Sequence, residues 1–275
     1  MLKRILTAIV AICVFIPILI FSNTIVFPIA FALASFIGVY EVLKCIGVKS
    51  KTLYIISSLI ALAAPFGARF AHNGQLFVLS YFGVFFCYLV VVLTIATFSH
   101  GKYDVSDAAL SYVMTFYVIT SFSSIIMLRD SRYGTMLYLL AFLGPWISDS
   151  AAYFCGRAFG RHKLIPDVSP KKTIEGAVGG VIFTGITFAA YGFVVLNRNA
   201  GLLQYVVLFA VGMIVSAVAQ IGDLIASLVK RKYGVKDYGY LFPGHGGVMD
   251  RFDSVLITAP ILLVIAEIAS HYSIF

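Results

Sequence analysis

The segment from Ser227 to Asp253 sets Lys230, Arg231, Lys232, Lys236 and Arg251 beside Asp237, Asp250, Asp253 and the run Gly244-His245-Gly246-Gly247, all between two long apolar stretches. Cations at this density neutralise phosphate oxygens, and glycines let backbone N–H groups approach them closely. Lys230, Arg231, Lys236 and Arg251, with Gly246 and Gly247, therefore read as an anion cradle for a triphosphate or a phospholipid head group. Lys232 reads as a solvated charge. For His245 two roles stay open: holding a leaving diphosphate, or ordering the turn.

Acids supply the second half of the chemistry. Asp223 lies in the otherwise apolar stretch Gln220-Ile221-Gly222-Asp223-Leu224-Ile225-Ala226-Ser227. A carboxylate within a membrane helix is costly, so it needs a partner: a functional cation, or a Lys or Arg of a neighbouring helix. Asp223 and Ser227 are four residues apart and share a helix face. Asp250 and Asp253 flank Arg251 just before the last apolar run. If the runs on either side of the loop are antiparallel neighbours, Asp250 approaches Asp223, and two carboxylates meeting there repel unless a cation lies between them. Mg²⁺ suits such a place, since it accepts one or two carboxylates and completes its shell with water and phosphate oxygens. Asp253 either joins this site or caps the last helix.

A second polar segment runs from Ser148 and Asp149 through Arg157, Arg161 and Lys163 to Lys171, Lys172, Thr173 and Glu175. Ser169 followed by Pro170 has the form of an N-cap and a first helical residue, which predicts a helix starting there, its N-terminus carrying Lys171 and Lys172 as an anion site. The spacings Gly156-x3-Gly160 and Gly176-x3-Gly180 read as close helix packing.

These groups must be positioned by membrane helices. With 275 residues, 61% hydrophobic and 12% charged, the chain has too much apolar surface for one water-soluble core. The expectation is a single all-α, polytopic membrane domain, residues 1 to 135 forming an apolar scaffold nearly free of polar groups and 136 to 275 carrying the function. Runs of roughly 17 to 25 apolar residues can cross the bilayer, and about nine are present: Ile5 to Phe21, Thr24 to Leu43, Leu53 to Ala68, Leu76 to Phe98, Ala108 to Leu128, Met136 to Phe154, Ile174 to Leu196, Leu202 to Leu228 and Ser254 to Tyr272. The third is the weakest, with Pro65 and Gly67 near its end, and the first reads as a retained helix rather than a cleaved signal. Pro17, Pro28, Gly38 and Gly83 are assigned to kinks and close packing, and Cys13, Cys45, Cys87 and Cys155 to small buried hydrophobes.

With the N-terminus in the cytoplasm, sixteen of the twenty Lys and Arg residues fall inside and four, Arg69, Arg129, Arg132 and Arg198, outside. The net charge of +8 thus serves topology and attraction to anionic membrane lipids, with no nucleic acid expected. An ion-coupled transporter would also use intramembrane acids, but its charges should line a path through the bilayer; here they collect at one face.

The pattern S-x2-K-R-x4-K-D-x-G-x3-P-x-H-G-G-x2-D-R-x-D, filled by Ser227, Lys230, Arg231, Lys236, Asp237, Gly239, Pro243, His245, Gly246, Gly247, Asp250, Arg251 and Asp253, resembles the signature of the phosphatidate cytidylyltransferases, or CDP-diacylglycerol synthases. The upstream patterns D-x2-A-Y-x2-G-x3-G, from Asp149, and P-x2-S-P-x-K-T-x-E-G, from Pro166, are similar too. The resemblance implies CTP and phosphatidate as substrates. It implies Mg²⁺ held by Asp223 and Asp250, with a monovalent cation such as K⁺ beside it. Lys172, Thr173 and Glu175 then belong to the substrate site, together with Asp149, Ser227, Asp237, His245, Gly246, Gly247 and Asp253. A homodimer in the cell inner membrane, its active site facing the cytoplasm, is implied as well. Related CTP-dependent enzymes acting on other lipids, such as dolichol kinase or the archaeal-lipid cytidylyltransferases, are the nearest alternatives.

Overall fold

The computed structural model describes residues 2–70, 74–101, 103–196 and 201–275. Lys102 and Arg198 lie outside the described residues, as do the side chains of Lys3 and Arg4. In chain order the elements are helices α1 (Leu2–Ile20), α2 (Val26–Cys45), α3 (Lys51–Ala68), α4 (Gly74–Thr97), α5 (Val105–Asp130), the single turn α6 (Gly134–Leu137) and α7 (Leu140–Phe159). Two short strands follow, β1 (Lys163–Ile165) and β2 (Ser169–Thr173), then helices α8 (Ile174–Val195), α9 (Leu202–Lys232) and α10 (Met249–His271).

The expected runs fall in helix, the sixth split between the turn α6 and α7, and the chain is a nearly all-α, multi-pass membrane protein. Among the described residues seven helices, α2 to α5 and α8 to α10, are long and apolar enough to cross a bilayer. The doubtful third run is one of them, with Pro65 inside the helix. The described apolar part of α1, Ile9–Ile20, is shorter. Large apolar side chains face outward: Phe82, Phe193 and Val194 are 71%, 74% and 85% exposed. On a water-soluble protein such surfaces are a liability, whereas against lipid they are the expected exterior.

The chain divides into two compact units, Met1–Met127 with Tyr233–Phe252, and Leu128–Lys232 with Asp253–Phe275. In the first, α2 packs on α3, and Gly38 brings α2 within reach of Val118, Phe122 and Met249. Gly83 has no neighbour within 4 Å of where its Cβ would lie, so a packing role for it does not hold. Nor is this scaffold apolar throughout. Ser57 and Tyr88 hydroxyls lie 2.8 Å apart, and the Tyr88 hydroxyl donates to Thr115 at 3.3 Å, tying α3, α4 and α5 through a buried polar chain. Glu41 on α2 is buried as well. The cysteines also depart from expectation: Cys45 is buried, Cys155 half-buried, Cys13 and Cys87 exposed.

In the second unit α7, α8 and α9 pack on one another. Their contacts run along small residues. A Cβ on Gly212 would lie 2.8 Å from the Gly185 Cα and the Thr184 carbonyl, one on Gly176 2.6 Å from the Ala152 carbonyl, and one on Gly156 2.8 Å from the Thr173 hydroxyl. The backbones meet where side chains would otherwise hold them apart, as the glycine spacings in α7 and α8 indicate. Buried polar atoms between these helices pair with one another: the Ser148 and Ser216 hydroxyls lie 2.7 Å apart, and the Gln220 amide donates to the Ala177 carbonyl at 3.1 Å.

The segment at Ser169 is a correction. It forms strand β2, paired antiparallel with β1, and α8 begins only at Ile174. Thr173 is the N-cap, its Oγ1 accepting from the Gly176 N–H at 3.2 Å. Ser-Pro is compatible with both outcomes, because the fixed φ of proline also suits an edge strand.

Candidate active site

Strand β2 and helices α7 and α9 bring the charged residues of the C-terminal unit together. The Lys172 ammonium lies 2.5 Å from Asp223 Oδ2, with about a quarter of each side chain exposed. Asp223 acts electrostatically on Asp149 from α7 and on Asp253 from α10; Lys172 offsets the first and Lys230 the second. Three carboxylates thus share a neighbourhood with two ammonium groups. Asp253 Oδ1 accepts from the Ser254 N–H at 2.7 Å. It cannot be the N-cap of the last helix, because α10 starts at Met249, before it.

Beside this cluster lies a cavity of about 300 Å³. Arg157, Lys171, Lys172 and Asp149 are its charged lining, and Tyr153, Thr173 and Gln220 its polar one. Its volume falls at the lower end of small-molecule sites, and its lining sets three cations against one carboxylate. Lys171 and Lys172 reach it from a strand, not from a helix terminus as the Ser-Pro reading had it.

Glu175 sits in the first turn of α8 but does not line the cavity. Its carboxylate accepts from the Arg161 N–H at 3.0 Å and the His162 N–H at 3.3 Å, and contacts His162 Nδ1 at 2.6 Å. It fastens the start of the β1–β2 hairpin to α8, and so fixes the strand that carries Lys172. Ser227 is half-buried one turn beyond Asp223. Helix α9 runs past the expected end at Leu228 to Lys232, which puts Lys230 and Arg231 on its last turn, where cations suit the helix dipole.

The remaining signature residues belong to the N-terminal unit. Lys236 and Arg251 are exposed and Asp237 is half-buried. Phe242 to Gly246 form a tight turn in which the Phe242 N–H donates to the Gly246 carbonyl at 2.9 Å. Gly246 has φ +85°, which few other residues adopt. His245 Nδ1 is buried and has no hydrogen-bond partner. Asp250 is 8% exposed, and its Oδ2 accepts from the Tyr238 N–H at 2.8 Å and the Gly247 N–H at 3.0 Å. Asp223 belongs to one unit and Asp250 to the other.

Sequence reasoning missed Glu41. It is 5% exposed, and its two oxygens accept from the Val248 N–H at 3.1 Å and the Met249 N–H at 2.9 Å. A methyl group at Gly239 or Gly247 would run into this carboxylate, and one at Gly246 would lie 2.7 Å from Asp250 Oδ2. The close approaches these signature glycines permit here are to the protein's own acids. The available signal was an acidic residue near the end of an otherwise apolar helix.

No group of three or more His, Cys, Asp or Glu side chains among the described residues is placed to hold a metal ion. That arrangement does not conflict with Mg²⁺, which is commonly held by one or two carboxylates and the substrate's phosphates instead of an all-protein cage. Asp223 offers a carboxylate oxygen, the donor type a hard cation takes, and in this structure Lys172 pairs with it.

Residues 2–269 match the model of the cytidylyltransferase family. Curated relatives named phosphatidate cytidylyltransferase include one from Staphylococcus haemolyticus, 36% identical over 267 residues, covering 95% of this chain and 97% of the relative. Those of Staphylococcus epidermidis and Staphylococcus aureus are 35% and 34% identical over 263 residues, with the same coverage.

Proposed function

This chain belongs to the cytidylyltransferase family, and we infer from that membership and its charged cavity that it is a phosphatidate cytidylyltransferase. It joins CTP to phosphatidate, giving CDP-diacylglycerol and diphosphate. A phosphate oxygen of phosphatidate attacks the α-phosphorus of CTP, the bond from that phosphorus to the bridging oxygen breaks, and diphosphate leaves with the electron pair. A phosphomonoester loses its second proton at about pH 6, so the nucleophile is already ionised near neutrality and needs little general-base help. The task is to bring two anions together.

The observation that carries the reading is the cavity where Arg157, Lys171 and Lys172 converge beside Asp149. Lys171, Lys172 and Arg157 neutralise phosphate oxygens and align the reacting groups, and the same charges stabilise negative charge as it shifts to the leaving diphosphate. Asp223, by holding Lys172, fixes one of these cations. Mg²⁺ is the proposed cofactor, with Asp223 as the ligand that the C-terminal unit offers and a monovalent cation beside it; when bound, the divalent ion would supply further charge neutralisation at the phosphates. His245, whose buried Nδ1 has no partner, is assigned to the substrate.

The site is proposed to face the cytoplasm of the inner membrane, where CTP is available, in a homodimer. Within the N-terminal unit Thr7 donates to the Pro243 carbonyl and Arg69 to that of Asn23, and within the C-terminal unit Arg132 donates to the Ser270 carbonyl. Each bond joins segments that the alternating arrangement assigns to the same side. The test is diphosphate release by the purified chain in detergent micelles, given CTP and phosphatidate without any transmembrane gradient. Turnover requiring both substrates is expected. No release from folded protein would overturn the assignment.

A further inference from the structure

Three successive N–H groups at the start of α10 are taken by two carboxylates of the chain itself. Gly247 donates to Asp250, Val248 to one oxygen of Glu41 and Met249 to the other. A helix N-terminus with free N–H groups is an anion site; this one is already filled by a buried side chain of α2. We propose that Glu41 is a positioning residue for the signature loop: it takes the place of an anion at the α10 N-terminus and so fixes the backbone that orients Asp250.

The geometry constrains the segment from both ends. Asp250 Oδ2 is held by the N–H groups of Tyr238 and Gly247, and those two residues adjoin Gly239 and Val248. Gly239 and Gly247 each abut the Glu41 carboxylate, with no space for a side chain, and Val248 donates to it. The loop therefore closes around Glu41, and Asp250 inherits its orientation from the closed loop. Without the carboxylate, two buried N–H groups lose their acceptors and the glycine-lined space empties, so both the amides and Asp250 are released. A phosphate cannot bind these N–H groups while Glu41 occupies them.

The consequence for turnover rests on the cytidylyltransferase reading; the consequence for the loop does not. The full chain in detergent is compared with its Glu41→Ala and Glu41→Gln variants by hydrogen–deuterium exchange, read by mass spectrometry, and by steady-state kinetics. In Glu41→Ala, exchange over residues 236–250 is expected to rise at least about tenfold while α7 to α9 keep their protection, and kcat to fall by a similar factor with a smaller change in KM for CTP. Glu41→Gln, which retains one acceptor oxygen and the side-chain volume, should fall between the two. Unchanged exchange in this segment overturns the proposal, as does raised exchange with unchanged kcat. If Glu41→Ala loses protection everywhere, Gly247→Ala, which crowds the carboxylate from the other side, replaces it, and the same segment-limited rise is required. A wild-type chain inactive with CTP and phosphatidate would sink the reaction assigned here, and the exchange result would still decide the role of Glu41.

Discussion

Replacing Asp223 by Asn separates a charge needed for reaction from one needed for folding. In the folded chain Asp223 gains one contact ion pair, with Lys172, and is opposed by the charges of Asp149 and Asp253. Both partners of the pair are about a quarter exposed, so its net worth is of the order of 1 kcal/mol. Removing the negative charge also relieves two repulsions, each on the order of 1 kcal/mol under screening close to that of bulk water. Gain and loss nearly cancel, and Asp223→Asn should change stability by less than about 1 kcal/mol. Turnover should respond quite differently. The amide can no longer fix the Lys172 ammonium or offer a charge to the proposed Mg²⁺, and a loss of roughly 4 kcal/mol in transition-state stabilisation is about a thousandfold in rate. The assay is diphosphate release per folded molecule, with thermal unfolding in the same detergent and Lys172→Met and the double variant to close the cycle. If Asp223 acts partly through Lys172, the double variant should be little worse than the poorer single one. A well-folded Asp223→Asn with turnover within tenfold of the parent, or one destabilised by more than about 2 kcal/mol, refutes the reasoning.

Glu175→Gln should weaken the bonds to Arg161, His162 and the His162 ring; limited proteolysis within residues 160–170 should speed up, and KM for CTP should rise about tenfold with kcat changed less. Excess chelator should stop diphosphate release and added Mg²⁺ restore it, so full turnover in chelator would remove the metal from the scheme. Lys163→Cys and Tyr240→Cys, both at exposed positions, should resist an impermeant thiol reagent in intact cells and react after lysis; ready labelling from outside would reverse the orientation.

The helices were legible in the sequence because nothing but helix satisfies backbone groups across so many consecutive apolar residues. Only their ends moved: α9 continues through Lys232 because Lys230 and Arg231 are good helix formers favoured at a C-terminus. Asp223 and Lys172 stood out for their chemistry, although their pairing joins residues far apart in the chain. The hairpin was hidden, since three- and five-residue strands carry too little periodicity to compete with an N-cap signal at Ser169-Pro170. Glu41 was hidden for another reason. Its partners, Val248 and Met249, lie 207 and 208 residues away and meet it through backbone N–H groups, which leave no trace in residue types. The glycines at 239 and 247 were the trace on the other side, but a glycine does not say which atom it makes room for.

The glycine seam of α7, α8 and α9 also divides the C-terminal unit by stiffness. Where Gly212 faces Gly185, and Gly176 faces Ala152, backbone rests on backbone, and no rotamer change can take up a displacement. The three helices therefore act as one stiff plate forming a wall of the cavity. The opposing lip is the hairpin that carries Lys171 and Lys172, fastened by hydrogen bonds to Glu175 and by Thr173, which sits against Gly156, Gly160 and Gly176. Any movement of the lip against the plate has to loosen one carboxylate's hold on Arg161 and His162, so a change at Glu175 reaches the strand that carries Lys171 and Lys172.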